Sequence, residues 1–397
     1  MKELILNKNF CLLFFANLVT VSAYLLTITV MARYAVVSFA CSDSLAGLAA
    51  SIFMVGGLLG RVVVGRYANI IGEKNTAVIS LGAMFVFHLL YLLTSYSYAL
   101  LLVVRVLHGV VFGVGATILP SLVLSSFPKD RMGEGTGIYM LSTSIGTGVG
   151  PMLGIFIGNE VSFTALFIVA SIITGASFLA VLFISSGKRD PELAAQAKAQ
   201  GFTLRSFFLP KAALTTTFMF LMAFAYMAIN SFLNSYAIEL GLEFFAPFTF
   251  LMFATGNLIF RPIFGRVMDR HGENVIVYPS ICMQIIAFIM IANAHGPFLL
   301  VLSGLFNAAG FGISLSIGQA VVIKNVRPEQ TTQAIGTYFF ICDGASALSP
   351  FLMGFIVGGF GYQAMLYSGA GICFLAIFAY YFTHGRKAKR PLKGENA

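Results

Sequence analysis

Twelve long apolar runs dominate this sequence and restrict what it can fold into. Each run is close to the 20 or so residues that an α-helix needs to cross the hydrocarbon core of a bilayer. Because lipid offers no hydrogen-bond partners, such continuous runs satisfy their backbone groups as helices. The sequence therefore predicts an all-α membrane protein with twelve transmembrane helices. The predicted spans are residues 10–32, 44–65, 75–95, 98–124, 132–157, 161–184, 212–237, 246–265, 275–292, 298–322, 331–356 and 363–383.

The composition excludes most other classes of protein. Hydrophobic residues make up 58% of the chain and charged residues 10%, whereas a soluble globular chain carries about 25% charged residues. The five cysteines have no paired spacing, so we predict neither a disulfide framework nor a zinc site. No nucleophile–base pair or phosphate loop is recognisable, and we expect no enzyme activity, cofactor or metal. The first run is too long for a signal peptide, and we interpret it as an uncleaved span.

The distribution of lysine and arginine predicts the orientation of the spans. With the N-terminus in the cytoplasm, 22 of the 24 basic residues fall in cytoplasmic segments or at their flanks. The exceptions are Arg33, in a predicted outer loop, and Arg105, inside a span. The formal net charge of +9 is therefore a signal of topology and not of nucleic-acid binding. We expect a multi-pass protein of the inner or plasma membrane with both termini in the cytoplasm.

A polar segment at 185–211 divides the twelve spans into two sets of six. We therefore predict an N-terminal six-helix bundle at 1–184, a cytoplasmic linker at 185–211 and a C-terminal bundle at 212–385. The remaining residues, 386–397, form a basic cytoplasmic tail. The linker is either a solvated connection or a regulatory segment, and the sequence favours neither. No pattern indicates a dimer, so we expect a monomer.

The two halves of the chain repeat each other. Five residues of the stretch at 61–74 recur 200 positions later, in 261–274. They are Arg61, Gly65, Arg66, Gly72 and Glu73, matched by Arg261, Gly265, Arg266, Gly272 and Glu273. Because each half holds an even number of spans, the halves are parallel repeats about an axis along the membrane normal. Substrate sites in such folds lie between the halves near the middle of the membrane, and we expect one there.

These two stretches resemble the signature loops of the major facilitator superfamily, Arg-x3-Gly-x3-Asp-Arg-x-Gly-Arg-Arg/Lys. The C-terminal copy has the aspartate and arginine of the pattern, whereas Asn69 and Ile70 replace them in the N-terminal copy. The resemblance implies the major facilitator fold, with two pseudo-symmetric six-helix bundles, and a cytoplasmic gate at these loops. Alternatively, the charges only anchor the loops in water. The implied gate residues are Arg61, Gly65, Asn69, Arg261, Gly265, Asp269 and Arg270.

The fifth span resembles the antiporter pattern of that family, Gly-x8-Gly-x3-Gly-Pro-x2-Gly-Gly. Its residues here are Gly137, Gly146, Gly150, Pro151 and Gly154, and the final glycine is replaced by isoleucine. Proline removes a backbone hydrogen bond, and the glycines form a face without side chains. The resemblance favours export of a solute in exchange for protons. The alternative is ordinary glycine-rich packing of membrane helices.

Few residues inside the spans can carry a proton or a charge. Asp343 is the one acid deep in a span, and we expect it to be the leading proton site. Arg105 matches a fourth-helix motif of the family, with Gly109 four residues later, and His108 lies nearly one turn beyond it. A histidine is suited to proton exchange near neutral pH. The alternatives are structural: Arg105 clamps backbone carbonyls, His108 is satisfied by packing, and Asp343 bonds the backbone or Ser346.

The resemblance implies that the first, fourth, seventh and tenth helices line the substrate cavity. Their polar residues are neutral, which suits an uncharged or amphipathic solute such as a sugar or a drug. Each of them can instead form an interhelical hydrogen bond. The candidates are Asn17, Tyr24, Thr27, Tyr226, Asn230, Asn234, Asn307 and Gln319.

Together these patterns predict a secondary active transporter that exports a small uncharged or amphipathic solute by alternating access, driven by proton antiport. The alternative is an importer or uniporter of the same fold for a small metabolite. A receptor or scaffold would need a folded soluble domain, and no segment of this sequence is long enough for one.

Overall fold

The computed structural model of the chain describes residues 7–125, 132–185, 208–327 and 330–388, and these residues form helices and short connections without a strand. The predicted all-α class is confirmed. A 3-10 turn, Tyr91–Tyr96, extends the third helix. The helices α1 to α6 of the first half are Lys8–Phe39, Asp43–Ile71, Glu73–Leu90, Tyr98–Ser125, Met132–Glu160 and Phe163–Leu182.

The second half has its own six helices. The last helical stretch, Thr331–Thr383, is interrupted at Gly361, whose backbone has φ 82° and ψ 171°. Glycine adopts such a positive φ readily, so Gly361 divides the stretch into α11, residues 331–360, and α12, residues 362–383. A π-helical turn, Ala308–Gly312, lies in the middle of α10. The helices α7 to α10 are Pro210–Glu239, Ala246–His271, Asn274–Ala292 and Pro297–Lys324.

Eleven helices among the described residues are long and apolar enough to cross a membrane, and the last of them is the interrupted stretch. Divided at Gly361, that stretch supplies two crossings, which gives the predicted twelve. The sequence predicts a loop between residues 356 and 363, but in the structure only Gly361 is non-helical. The apolar residues and glycines on either side of Gly361 continue the two helices. Placing Arg33 in an outer loop was wrong. It lies within α1, where its guanidinium donates a hydrogen bond to Asn159 of α5.

Contacts within the chain divide it into two compact units, Met1–Thr203 and Leu204–Ala397. In the first unit, α1 packs on α5 and α6, α2 packs on α4, and α3 packs on α4 and α6. In the second unit, α7 and α9 both pack on the stretch that holds α11 and α12, and α10 packs on α8 and α9. The pairing of helices in one unit thus recurs in the other, as the sequence repeat predicts.

Glycines allow α2 and α4 to approach each other closely. A methyl group added to Gly109 would lie 2.0 Å from the carbonyl oxygen of Phe53, and one added to Gly113 would lie 2.1 Å from that of Gly57. Small residues of this kind let membrane helices pack backbone against backbone. The glycine of the fourth-helix motif is therefore required by the position of α2.

A glutamate joins the start of the third helix to the end of the fourth in each unit. In the first unit, the hydroxyl of Ser121 donates to Glu73. In the second, Lys324 Nζ donates to Glu273 Oε2 at 3.1 Å, and His384 Nε2 lies 2.9 Å from Glu273 Oε1. The side chains of Glu273 and His384 are each 9% exposed, so solvent screens their interaction only partly. These repeated glutamates stand where the family pattern has arginine, and each has a partner within its own unit.

The surroundings of Glu273 predict how stability depends on pH. Burial raises the pKa of Glu273, but hydrogen bonds from His384, its own backbone and Lys324 outweigh burial and hold the pKa below its ordinary value near 4.5. Such a carboxylate stabilises the fold above its ordinary pKa, and this contribution is lost as the pH falls through the lowered value. We expect Glu273→Gln to lower the thermal stability at neutral pH and to flatten its decline below about pH 5.

Thermal unfolding of the purified protein across this pH range measures both effects. Glu239→Gln is the control, because Glu239 is an exposed acid at the end of α7. If the unfolding temperatures of wild type and Glu273→Gln differ by the same amount at every pH, the ionised form of Glu273 contributes nothing to stability.

Candidate functional site

Arg105 lies within α4 and is fully buried. Its Nε donates to the carbonyl oxygen of Ala49 at 2.8 Å, and its Nη2 donates to that of Ala50 at 2.6 Å. Its Cζ lies 4.7 Å from the centroid of the Phe53 ring, within range of a cation–π interaction. These contacts all reach α2, so Arg105 makes the clamp on backbone carbonyls that the structural alternative describes.

Arg105, Tyr91 and His108 form a chain of hydrogen bonds. Arg105 Nη1 donates to the Tyr91 hydroxyl at 3.4 Å, and that hydroxyl lies 3.0 Å from His108 Nδ1. The Tyr91 hydroxyl accepts from Arg105 and bonds His108 Nδ1 as donor or as acceptor, according to the tautomer of the imidazole. His108 Nε2 is buried and has no hydrogen-bond partner among the described residues.

His88 of α3 lies against His108, with ring centroids 4.4 Å apart. The hydrogen-bond partners of His88 lie in its own helix and in two neighbouring helices. Its Nδ1 lies 3.1 Å from the carbonyl oxygen of Met84 and 3.4 Å from the Thr174 hydroxyl, and its Nε2 lies 3.4 Å from the Thr27 hydroxyl. His88 thus links α3 to α1 and α6, and the two histidines form one buried polar cluster with Arg105.

Asp343 lies in α11 and is partly buried. Ser346, which the sequence offers as a partner, donates instead to the carbonyl oxygen of Cys342 at 3.0 Å. The hydroxyl of Tyr338 donates to Leu315 of α10, and that of Ser349 donates to the backbone of α7. The segment that carries Asp343 is therefore anchored to two neighbouring helices.

The glycines of the fifth helix face α1. A methyl group added to Gly150 would lie 2.5 Å from the carbonyl oxygen of Ser22, and one added to Gly154 would lie 2.3 Å from that of Leu26. Gly146 is less tight, with 3.0 Å to the nearest side-chain atom of α1. The smooth face of the antiporter pattern, with Pro151 inside the helix, is thus used for close packing within the first unit.

The cavity candidates of α1 make contacts within the first unit. The amide of Asn17 donates to the Ser142 hydroxyl at 2.7 Å and to the Thr143 hydroxyl at 2.9 Å. Thr27 is buried and donates to a backbone carbonyl of its own helix. Asn17 and Thr27 therefore make the hydrogen bonds expected of packing residues, whereas Tyr24 stays partly accessible.

The cavity candidates of the second unit lie on α7 and α10. Asn230, Asn234 and Asn307 are buried, whereas Tyr226 and Gln319 are partly accessible. The amide oxygens of Asn230 and Asn307 have no hydrogen-bond partner among the described residues.

The π-helical turn itself has a side-chain partner that the sequence does not predict. Gln284 Oε1 accepts the backbone N–H of Phe311 at 2.9 Å, which satisfies one amide of the irregular turn. Such turns occur frequently at functional sites, and this one places Phe311 against Tyr226.

The predicted gate residues lie at the ends of α2 and α8. Both helices end at a glycine with positive φ, Gly72 at 95° and Gly272 at 86°, which explains the glycine of the repeated pattern. Arg270 is exposed and Arg261 is partly buried. Of the other predicted gate residues, Arg61 and Gly65 lie in α2 and Gly265 lies in α8. The side chains of Asn69 and Asp269 lie outside the described part of the chain.

Known proteins similar to this chain are transporters. The multi-drug resistance efflux pump PmrA of Streptococcus pneumoniae is 25% identical over 294 residues, which cover 68% of this chain and 68% of that protein. The uncharacterized MFS-type transporter YhhS of Escherichia coli is 25% identical over 361 residues, which cover 87% of this chain and 84% of that protein.

Solved structures show the same fold. A mutant of the nucleoside transporter NupG superposes with a TM-score of 0.81 at 15% identity, covering 95% of this chain and 100% of that one. A mutant of the peptide transporter POT gives a TM-score of 0.75 at 16% identity, covering 96% of each chain. The family model described as Major Facilitator Superfamily matches residues 10–294 and 248–397. The resemblance drawn from the signature loops is thereby confirmed, and the chain belongs to the major facilitator superfamily.

Proposed function

We propose that this protein exports a small uncharged or amphipathic solute in exchange for protons, by alternating access across the cell membrane. The observation that carries the proposal is Asp343. It is an acid in the interior of an apolar helix, where a permanent charge would be costly and a group that binds and releases a proton is useful. In this scheme Asp343 is ionised when it faces one side of the membrane and neutral when it faces the other.

Two observations support export over import. The fifth helix carries the antiporter pattern at Gly146, Gly150, Pro151 and Gly154. The relative PmrA is named as an efflux pump. The named substrates of the structural neighbours, nucleosides and peptides, differ from one another and support no choice of solute.

The buried cluster of the first unit supports the coupling. Arg105 places a permanent positive charge in the membrane interior, and Tyr91 links this charge to His108. We assign His108 the role of a proton acceptor that communicates with Arg105, and Asp343 that of the coupling carboxylate. The protein acts as a monomer, with the linker 185–211 and both termini in the cytoplasm.

Transport by purified protein in lipid vesicles tests this proposal. Vesicles are loaded with single members of a panel of sugars and lipophilic cations, and the external pH is lowered below the internal pH. An antiporter then accelerates efflux of its solute, and an ionophore that collapses the pH gradient removes the acceleration. Unchanged efflux would identify a uniporter, and proton-driven uptake would identify an importer of the same fold.

A further inference from the structure

An aromatic cluster joins three helices of the first unit. The ring of Tyr24 in α1 stacks on Phe53 of α2 at a centroid distance of 5.3 Å and an interplanar angle of 18°. The same ring stacks on Phe112 of α4 at 4.5 Å and 27°. These separations are those of attractive offset stacking. One tyrosine is therefore held by two phenylalanines from neighbouring helices.

The same cluster recurs in the second unit. Tyr226 of α7 stacks on Phe253 of α8 at 5.4 Å and 24°, and on Phe311 of α10 at 4.0 Å and 8°. Phe253 and Phe311 stand 200 and 199 positions after Phe53 and Phe112. The cluster is therefore part of the internal repeat and not an isolated packing event.

The tyrosine of each cluster remains partly accessible. Phe53, Phe112 and Phe253 are only 0%, 7% and 6% exposed, whereas Tyr24 and Tyr226 each keep an accessible part of their surface. A ring fixed by stacked neighbours loses little conformational freedom when a further ring binds to it. Because each tyrosine ring already stacks on two phenylalanines, its accessible part is suited to an edge-to-face contact with a flat aromatic solute.

The second cluster also has hydrogen-bond acceptors beside it. Asn230 lies one turn after Tyr226 on α7, and Asn307 lies about one turn before Phe311 on α10, so each shares a helix face with a ring of the cluster. Both amide oxygens are buried without a partner among the described residues. Leaving such an acceptor unsatisfied is costly, and a ligand that carries N–H or O–H donors would satisfy it.

The first cluster has a different neighbour. The guanidinium of Arg105 lies over the Phe53 ring, so a fixed positive charge stands behind this cluster. A cation behind the ring draws on the same π-electrons that a second cation would need. The first cluster therefore suits neutral aromatic rings. The second cluster, beside the unpartnered amide oxygens of Asn230 and Asn307, suits aromatic rings that carry N–H or O–H donors.

We propose that each unit carries an aromatic subsite, and that the second subsite, formed by Tyr226, Phe253 and Phe311 with Asn230 and Asn307, binds planar aromatic solutes that bear N–H or O–H donors. This inference rests on the proposed transport function and adds the chemical class of the solute.

Binding to the purified protein in lipid nanodiscs, with no proton gradient, tests the subsite. The probes are proflavine, a planar aromatic diamine that is protonated at neutral pH, and 10-methylacridinium, a cation with the same three rings and no N–H group. The chain contains no tryptophan, and the fluorescence anisotropy of each probe reports its binding. We expect the wild type to bind proflavine about tenfold more tightly than 10-methylacridinium, a difference of about 1.4 kcal/mol.

Substitutions then locate the binding. Tyr226→Leu should weaken proflavine binding about tenfold, and Tyr226→Phe should restore most of it, because the edge-to-face contact needs the ring and not the hydroxyl. Asn230→Leu and Asn307→Leu should bring the affinities for the two probes together. Tyr367→Leu is the matched control, since Tyr367 is a half-exposed tyrosine of the same unit outside the cluster.

The outcomes separate this inference from the transport proposal. A folded Tyr226→Leu protein that binds proflavine as the wild type does would overturn the subsite. If Tyr226→Leu does not fold, an unchanged preference for proflavine in both asparagine variants would overturn it instead. Because no gradient is present, a protein that binds as expected but fails to couple to protons contradicts only the proposed antiport.

Discussion

Asp343→Asn is expected to reduce proton-driven export to the level of vesicles without protein while leaving the protein folded. Asparagine has nearly the shape of aspartate but cannot release a proton, so the transport cycle loses its exchange of charge. The side chain lies in the interior of α11, where the ionised form is costly and each proton gained or lost changes the preferred environment. Efflux from loaded vesicles under an inward proton gradient measures the effect.

Two comparisons distinguish lost coupling from lost structure. Exchange of labelled for unlabelled solute without a gradient should persist in Asp343→Asn, since this exchange needs only binding and the conformational change. Asp343→Glu keeps a titratable carboxyl and should retain part of the proton-driven rate. Normal gradient-driven export by the asparagine variant would remove Asp343 from the mechanism.

Gly109→Ala is expected to lower the free energy of unfolding more than any other substitution described above. The added methyl group would lie 2.0 Å from the backbone oxygen of Phe53, and backbone cannot move aside as a flexible side chain can. Alanine in a helix is otherwise favoured over glycine by about 1 kcal/mol, so the sign of the effect depends on this contact alone. Overpacking costs roughly 1–3 kcal/mol or more, and here α2 must also move away from the guanidinium of Arg105.

Gly57→Ala is the matched control for this prediction. Gly57 lies in the same contact between α2 and α4, but a methyl group there would meet its nearest atom, the Gly109 oxygen, at 3.8 Å. We expect Gly57→Ala to unfold at or above the wild-type temperature and Gly109→Ala to unfold several degrees lower. Equal unfolding temperatures for the two variants would show that the helices separate without cost.

The helices could be predicted from the sequence because length and hydropathy alone determine which segments can cross a bilayer. Gly361 and the π-helical turn of α10 could not be predicted. Each depends on backbone angles at a single place inside a continuous apolar run. Arg33 was placed in a loop for a related reason, because its acceptor, Asn159, lies 126 positions away. Periodicity along one helix carries no information about such a partner.

In the candidate site, too, the sequence identified some residues but not the contacts between distant helices. The sequence identified Arg105 and Asp343 because charges are rare in apolar helices and therefore conspicuous. It did not show that Tyr91 connects Arg105 to His108, since tyrosines are common and these contacts depend on how α3 packs on α4. The aromatic clusters could have been predicted in part from the internal repeat, because Phe53 and Phe253 are separated by the same 200 positions as the signature loops.

The carbonyl clamp on Arg105 has a consequence for how the protein is made. A helix carrying a bare guanidinium partitions poorly into lipid, and α4 leaves the ribosome after α2. The acceptors at Ala49 and Ala50 are therefore already in the bilayer when Arg105 arrives. The fourth helix can then insert into the bilayer while bound to the second. The order of synthesis thus provides the acceptors that lower the free-energy cost of inserting Arg105.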